Sequence, residues 1–324
     1  MKQLARWILG LDVAKLTVQA ELRSAEGRKI RFSFPNTALG FAKLAQVLSQ
    51  HGASLVHAGL EATGRYSQPL ATWLYTQGHD VSLLNPRRVK DYARSSGQRN
   101  KTDILDARLI AGFVRAQQET LALWRPLSGE LQQLQDLVRR RHQLEGLLLG
   151  EKNRLEGADG LVRSYIERLI ELLKSEKATV EKAIAAQIRS HAALKRKHQL
   201  LCTTPGIGAL TAAVLLAEMA GPDQVPRARQ SAARAGLSPR RKQSGTSVDQ
   251  NRGIGKEANR YLRKALYMPA LVAIKHNPPL RHFAAKLRAN AKHEMAIICA
   301  VMRKLIHISF GILKHQQPFN PSLA

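Results

Sequence analysis

The sequence predicts a mixed α/β domain followed by a mainly helical remainder. Three observations predict it. The first third carries short apolar or alternating segments separated by turn residues, in the order β-β-β-α-β-α-β. Residues 117–198 repeat aliphatic side chains at three- to four-residue steps among charges. From Leu200 onward, apolar helical patterns alternate with loops.

The opening run Trp7 to Leu11 is continuously apolar and stops at Asp12. Leu16 to Leu22 and Ile30 to Phe34 alternate apolar with polar, which is the period of a half-buried strand. Ser24-Ala25-Glu26-Gly27 between them is a turn, so these runs form a three-strand meander. Phe41, Leu44, Val47 and Leu48 fall at helical spacing within Ala38 to Gln50. Ser54 to Leu60 is a fourth strand ending at Glu61, Tyr66 to Thr76 a helix, and Asp80 to Leu84 a fifth strand. Leu131, Leu134, Val138, Leu147 and Leu155 then repeat up to a break at Gly157-Ala158-Asp159-Gly160. Leu161, Ile166, Leu169, Leu172, Leu173, Val180, Ile184 and Ile188 resume the repeat. This is the pattern of two long antiparallel helices, either a coiled-coil arm or a pair packed on a globular body. Beyond it come a Gly turn at Thr204 to Gly208, a polar basic loop from Ser238 to Asn251, and apolar helices to about Leu313. The expected division is residues 1–116, 117–198 and 199–324.

Charge narrows the function. With 51 Lys+Arg against 24 Asp+Glu, the 324-residue chain carries a net charge of +27. That much charge of one sign repels itself unless a polyanion shares it, so nucleic acid is the expected partner. The basic residues are spread along the chain and not gathered on one amphipathic helix, which argues against a membrane surface. Asp12 interrupts the short apolar stretch after Lys2 and Arg6, so that stretch does not read as a signal peptide. Apolar stretches such as Ile207 to Leu216 are too short to span a bilayer, and the expectation is a soluble cytoplasmic protein. Cys202 and Cys299 are too few for a zinc finger or a disulfide scaffold. No P-loop is present, so ATP use is not indicated. The eleven histidines lack tight metal-ligand spacing; His191 and His198, beside a basic segment, suit solvent or phosphate contact.

Four carboxylates stand apart from this background. Asp12 and Glu61 end the first and fourth strands, and Asp103 and Asp106 open a helical pattern, three residues apart and so on one face. If the two strands are neighbours, both acids emerge at one sheet edge. A helix start placed over that edge brings four hard oxygen donors together, a set suited to Mg²⁺ or Mn²⁺. Two such ions can activate a hydroxyl and stabilise the leaving oxygen in phosphodiester cleavage. Read singly, each acid is more readily a turn residue or a favourable acid in a helix's first turn. In the last third, the turn Thr204-Pro205-Gly206-Ile207-Gly208 could expose backbone N–H groups to a phosphate, or could need Gly206 and Gly208 for geometry alone.

The blocks Gly10-Leu11-Asp12-Val13-Ala14-Lys15, Leu60-Glu61-Ala62-Thr63-Gly64 and Lys101-Thr102-Asp103-Ile104-Leu105-Asp106-Ala107 resemble, in this order and at these separations, the Asp-Glu-Asp-Asp signature of the insertion-sequence one-one-zero transposase family. A second set resembles that family's C-terminal transposase domain: Ala235 to Pro239, Gln243-Ser244-Gly245, Arg252 to Lys256, and Asn259 to Arg263. The resemblance runs through nearly the whole chain. It implies a RuvC-like N-terminal domain with a ribonuclease H fold and a DNA recombinase guided by a structured RNA. It also implies dimers that pair into a tetramer, in which one chain's carboxylates complete a site with another chain's serine. It makes the serine of the Ser-Gly pair, Ser244, the nucleophile that becomes linked to DNA. Arg240, Arg241 and Lys242 before it, and Lys256, Arg260 and Arg263 after it, are candidate phosphate contacts. By composition alone Ser238, Thr246 and Ser247 are equally plausible nucleophiles. Two rival functions remain at this point: a RuvC-like endonuclease that uses only the carboxylates, and a non-catalytic nucleic-acid-binding protein.

Overall fold

A computed structural model describes residues 7–61, 64–95, 103–244, 248–254 and 259–323; among these, the side chains of 65, 103–105, 239–244, 248–254 and 323 fall outside the description. The chain forms two compact units, residues 1–126 and 127–324.

The first unit is built on a five-stranded sheet in the order β3-β2-β1-β4-β5. Strands β1 (Trp7–Val13), β2 (Thr17–Ser24) and β3 (Lys29–Pro35) form the expected antiparallel meander. Gly27 turns the chain between β2 and β3 at φ 93°, a conformation that costs glycine nothing. Strands β4 (Val56–Glu61) and β5 (Asp80–Leu84) run parallel to β1, which requires crossover connections. Helices α1 (Ala38–Gln50) and α2 (Gln68–Thr76) supply them. Thr37 starts α1 by accepting the Gly40 N–H at 3.3 Å. This order and these directions make the ribonuclease H-type mixed sheet that the resemblance implies.

Period-two alternation assigns the two faces. Leu9, Leu11 and Val13 pack with Phe41, Leu44 and Leu48 of α1 and Leu70 and Leu74 of α2. Ile8 packs on the opposite face, with Val89 of α3 (Pro86–Ser95) and Ile110, Ala111 and Val114 of α4 (Asp103–Gln117). Helix α3 is an element the sequence reading missed.

The second unit opens with α5 (Gly129–Leu155) and α6 (Gly160–Ser190). They are antiparallel: Gln187 Nε2 donates to the Glu130 carbonyl at 3.1 Å, and Arg141 pairs with Glu181 at 2.7 Å. Leu144, Leu148, Ile170 and Leu173 form a small core of their own between the two helices. Nearer the other end, Leu134, Val138, Ile184 and Ile188 join the main core of the unit. That core is completed by α7 (Ala192–Cys202), α8 (Ala209–Glu218), α9 (Ala228–Arg234), α10 (Arg260–His276), α11 (Pro278–Ala289) and α12 (Glu294–His315).

Two expectations are corrected in this unit. The segment read as a basic loop is a two-stranded hairpin, β6 (Pro239–Ser244) with β7 (Val248–Ile254). Its polar composition carries no period-two apolar signal for a strand, and the pairing is that of the backbone. The apolar stretches are also not all too short for a bilayer: α12, with 22 residues, is long and apolar enough to cross one. In the structure Ile297, Val301, Leu305 and Ile306 of α12 are buried in the core.

Candidate active site

The parallel register of β1 and β4 sets Leu11 opposite Leu60. Asp12 and Glu61 are therefore the next residues on neighbouring strands, at the ends from which both chains leave the sheet. Alternation sends Ile8, Gly10 and Asp12 to one face of β1, and His57, Gly59 and Glu61 to the same face of β4. This is the face covered by α4. Asp12 and Glu61 are both half-buried there.

Helix α4 lies close on this face because two glycines make room for it. A Cβ on Gly10 would stand 2.3 Å from the Ala107 carbonyl oxygen and 2.4 Å from the Ala111 nitrogen. A Cβ on Gly59 would meet Val114 Cγ2 at 2.2 Å. The helix direction follows from two arginine contacts. Arg23, paired with Ile8 in the sheet, donates to the Arg108 carbonyl at 2.7 Å. Arg115 donates to the carbonyl of Ser24, which pairs with Trp7. Moving up α4 thus means moving back along β1, so the N-terminus of α4 points to the Asp12 and Glu61 end. Asp103 begins the helix at that end, and Asp106 follows in its first turn, half-buried.

A buried charge network holds this arrangement. Glu21, 1% exposed, takes Arg23 at 2.6 Å and Arg31 at 2.7 Å. Burial alone would raise its carboxyl, but hydrogen bonds and charge from Arg31 and Arg23 outweigh this and hold it below the ordinary value. Arg23 thus joins a buried anion on β2 to the α4 backbone. Sequence reasoning missed this link, since nothing local connects Arg23 to Arg108. His57, on the site face, is engaged elsewhere: its Nε2 sits 2.8 Å from Ser82 Oγ, which donates to the Ala122 carbonyl.

The donor set fits a divalent cation in kind, being all carboxylate oxygen. Among the described residues no three His, Cys, Asp or Glu side chains converge closely enough to hold a metal. The Asp103 side chain lies outside the described residues. One consequence is testable at Gly10. Gly10→Ala would force α4 away from the sheet at the turn that carries Asp106. Overpacking of this kind costs about 1–3 kcal/mol, and DNA cleavage should fall well beyond what the loss of folded protein explains. A melting curve beside a cleavage assay checks this; wild-type cleavage in a folded variant would refute it.

In the second unit, Ser244 is the last residue of β6, opposite Val248. Arg240, Arg241 and Lys242 lie on the same strand, while Lys256 and the rivals Thr246 and Ser247 lie outside the described residues. Ser238 precedes the strand, half-buried. Arg260 is exposed at the start of α10 with its guanidinium over the Tyr261 ring, and Arg263 follows one turn on. Gly206 has φ 106°, and a Cβ there would stand 2.9 Å from the Pro269 carbonyl oxygen of α10, so geometry alone requires glycine. Gly208 is the exposed N-cap of α8 and caps it with no side chain. His191 Nδ1 and His198 Nε2 each lie 2.9 Å from a backbone carbonyl, of Gln187 and Ala209 respectively, and both residues are half-buried.

A ribonuclease H-type sheet with acids at the ends of two central parallel strands, on a chain of net charge +27, defines an enzyme class that acts on the nucleic-acid backbone. Residues 9–158 match the Asp-Glu-Asp-Asp transposase family of IS110 elements, and residues 198–285 match the transposase family IS116/IS110/IS902. The pilin gene-inverting protein of Moraxella bovis is 32% identical over 320 residues, covering 98% of each chain. The transposase for insertion sequence element IS1328 of Yersinia enterocolitica is 24% identical, over 72% of this chain and 77% of its own. A solved structure of Thermus thermophilus RuvC with a Holliday junction substrate aligns with 36% of this chain and 99% of its own, at 13% identity and a TM-score of 0.29. The chain belongs to the IS110 family of transposases, enzymes that cut and rejoin DNA.

Proposed function

We propose that the protein recombines DNA through a covalent serine–DNA intermediate, with Asp12, Glu61, Asp103 and Asp106 holding Mg²⁺ and Ser244 supplying the nucleophile. The observation that carries this reading is the shared face of Asp12 and Glu61 at adjacent strand ends, with the α4 N-terminus directed to that end. When bound, the metal would polarise the scissile phosphate and steady the leaving oxygen; Mn²⁺ would serve in the same way. The chain's own residues do the rest. Ser244 Oγ attacks phosphorus and loses its proton to solvent. One P–O bond of the DNA breaks as the Ser244–phosphate bond forms, and the departing DNA oxygen takes up a proton. Attack by a hydroxyl of another strand reverses these steps, joins the strands and frees Ser244. One phosphodiester is exchanged for another, so no ATP is needed. Arg240, Arg241, Lys242, Lys256, Arg260 and Arg263 suit the flanking phosphates, and the backbone at Gly206 and Gly208 a further one.

The same reading assigns residues 1–116 to the metal-dependent domain, 117–198 to a helical arm and 199–324 to the serine domain, in a cytoplasmic protein. A structured RNA would choose the DNA by pairing, leaving the protein to read shape and backbone. The deciding experiment mixes protein, Mg²⁺, RNA and labelled donor and target DNA, and looks on a denaturing gel for DNA that migrates with the protein. Metal-dependent cleavage with no adduct would leave a hydrolytic endonuclease. Recombination without any RNA would remove the guide.

Assembly as dimers that pair into a tetramer is supported by the outer face of α6. Its inner seam, Ile166, Ile170, Leu173, Val180 and Ile184, packs within the helix pair. A second seam, Val162, Tyr165, Leu169 and Leu172, follows the same three-four spacing and is exposed, with Val162 at 60% and Leu172 at 57%. Monomeric proteins rarely leave such a row in water. Leu169→Asp with Leu172→Asp should halve the mass seen by light scattering and leave the melting temperature near that of wild type. An unchanged mass would place the dimer contact elsewhere.

A further inference from the structure

The hairpin that carries Ser244 lies in the chain between α9 and α10. The Asn259 N–H donates to the Arg234 carbonyl at 3.0 Å, joining the end of α9 to the start of α10. The Asn259 side chain works in two directions. Its Oδ1 accepts the N–H groups of Tyr261 at 3.0 Å and Leu262 at 3.1 Å, capping α10. Its Nδ2 donates to Glu218 Oε2 at 2.7 Å.

Glu218 ends α8 with its side chain 1% exposed. Arg139 of α5 grips the carboxylate twice, Nε to Oε1 at 2.6 Å and Nη2 to Oε2 at 3.1 Å. A carboxylate only accepts, so it can face only the NH₂ side of the Asn259 amide. That choice leaves the amide oxygen for α10. Without Glu218 the amide could turn over, and α10, whose first residues follow the hairpin in the chain, would lose its cap. The α5 side is itself well secured: Arg139 lies over the Tyr261 ring at 5.4 Å, and Lys264 pairs with Glu145 at 2.9 Å.

We propose that Glu218 is a positioning residue for Ser244, acting through Asn259. The proposal rests on Ser244 being the nucleophile. A nucleophile displaced by about 1 Å can lose on the order of a hundredfold in rate with no change in binding.

The test reverses one hydrogen bond. Asn259→Asp keeps an oxygen cap for α10 but sets two carboxylates against each other. Glu218→Gln in the same chain gives the new Asp a donor, while the Gln oxygen still accepts from Arg139. At saturating DNA, Asn259→Asp should form the covalent adduct about ten- to a hundredfold more slowly, with DNA affinity close to wild type; the opposed carboxylates should also lower the melting temperature. Trypsin should cut faster at residues 240–242. The double variant should recover both properties. A wild-type adduct rate in Asn259→Asp, or a double variant no better than the single, overturns the proposal. If Asn259→Asp fails to fold, Glu218→Gln alone carries the same two readouts. If Ser244→Ala keeps the adduct, the nucleophile assignment fails; the trypsin readout and its recovery still decide whether Glu218 anchors the hairpin.

Discussion

Asp12→Asn is expected to lower DNA strand cleavage by roughly a thousandfold, or about 4 kcal/mol of transition-state stabilisation, while the protein stays folded and binds nucleic acid. Asparagine has the same shape as aspartate but removes a full negative charge from the end of β1. Asp12 shares its face with Glu61 on the adjacent parallel strand, and this is the face that α4 covers. A cation held by oxygen donors loses its grip with each charge removed. Binding should persist because the +27 net charge draws phosphate along the whole chain. Cleavage and DNA affinity measured in parallel on purified protein check both halves. Full cleavage by the Asn variant would mean that the acids at the strand ends are structural.

Ser244→Ala is expected to abolish the covalent adduct outright while leaving the fold, DNA binding and any metal binding in place. A serine hydroxyl is a weak nucleophile near neutral pH and needs assistance. No histidine stands near Ser244 in the sequence, so the assistance is expected from the bound cation. Ser244→Cys should retain a small activity, because a thiol attacks without the same help. Mass spectrometry of the adduct peptide checks the assignment. An adduct in the Ala variant would transfer the role to another hydroxyl, with Thr246 and Ser247 next to be replaced.

The sheet was legible because its strands obey two local rules. Apolar runs, alternation and turn residues place β1 to β5 near their observed bounds, and the helical spacing within Ala38–Gln50 coincides with α1. Asp12 and Glu61 were readable as acids following apolar strands. Helix α3 was not, because Arg87, Arg88 and Lys90 crowd it and only Val89 of it is buried. The β6–β7 hairpin was not, because Arg240 to Gln250 contains one apolar residue, Val248, and pairs through its backbone. The apolar length of α12 was overlooked because Arg303 and Lys304 interrupt it.

What the sequence determined by itself was therefore everything that depends on neighbours in the chain: strand and helix periods, the acids at strand ends, the basic charge and the family signature. What only the tertiary structure decided was which distant groups meet. Gly10 is glycine because Ala107 and Ala111 of α4 press on it. Glu21 can be buried because Arg23 and Arg31 face it, and Arg23 reaches Arg108, 85 residues away. Glu218 meets Arg139 and Asn259 across 79 and 41 residues. The physical reason is that periodicity records only which face of an element is buried. The partner that satisfies a buried charge or fills the space beside a glycine is chosen by chain topology, and no local spacing encodes it.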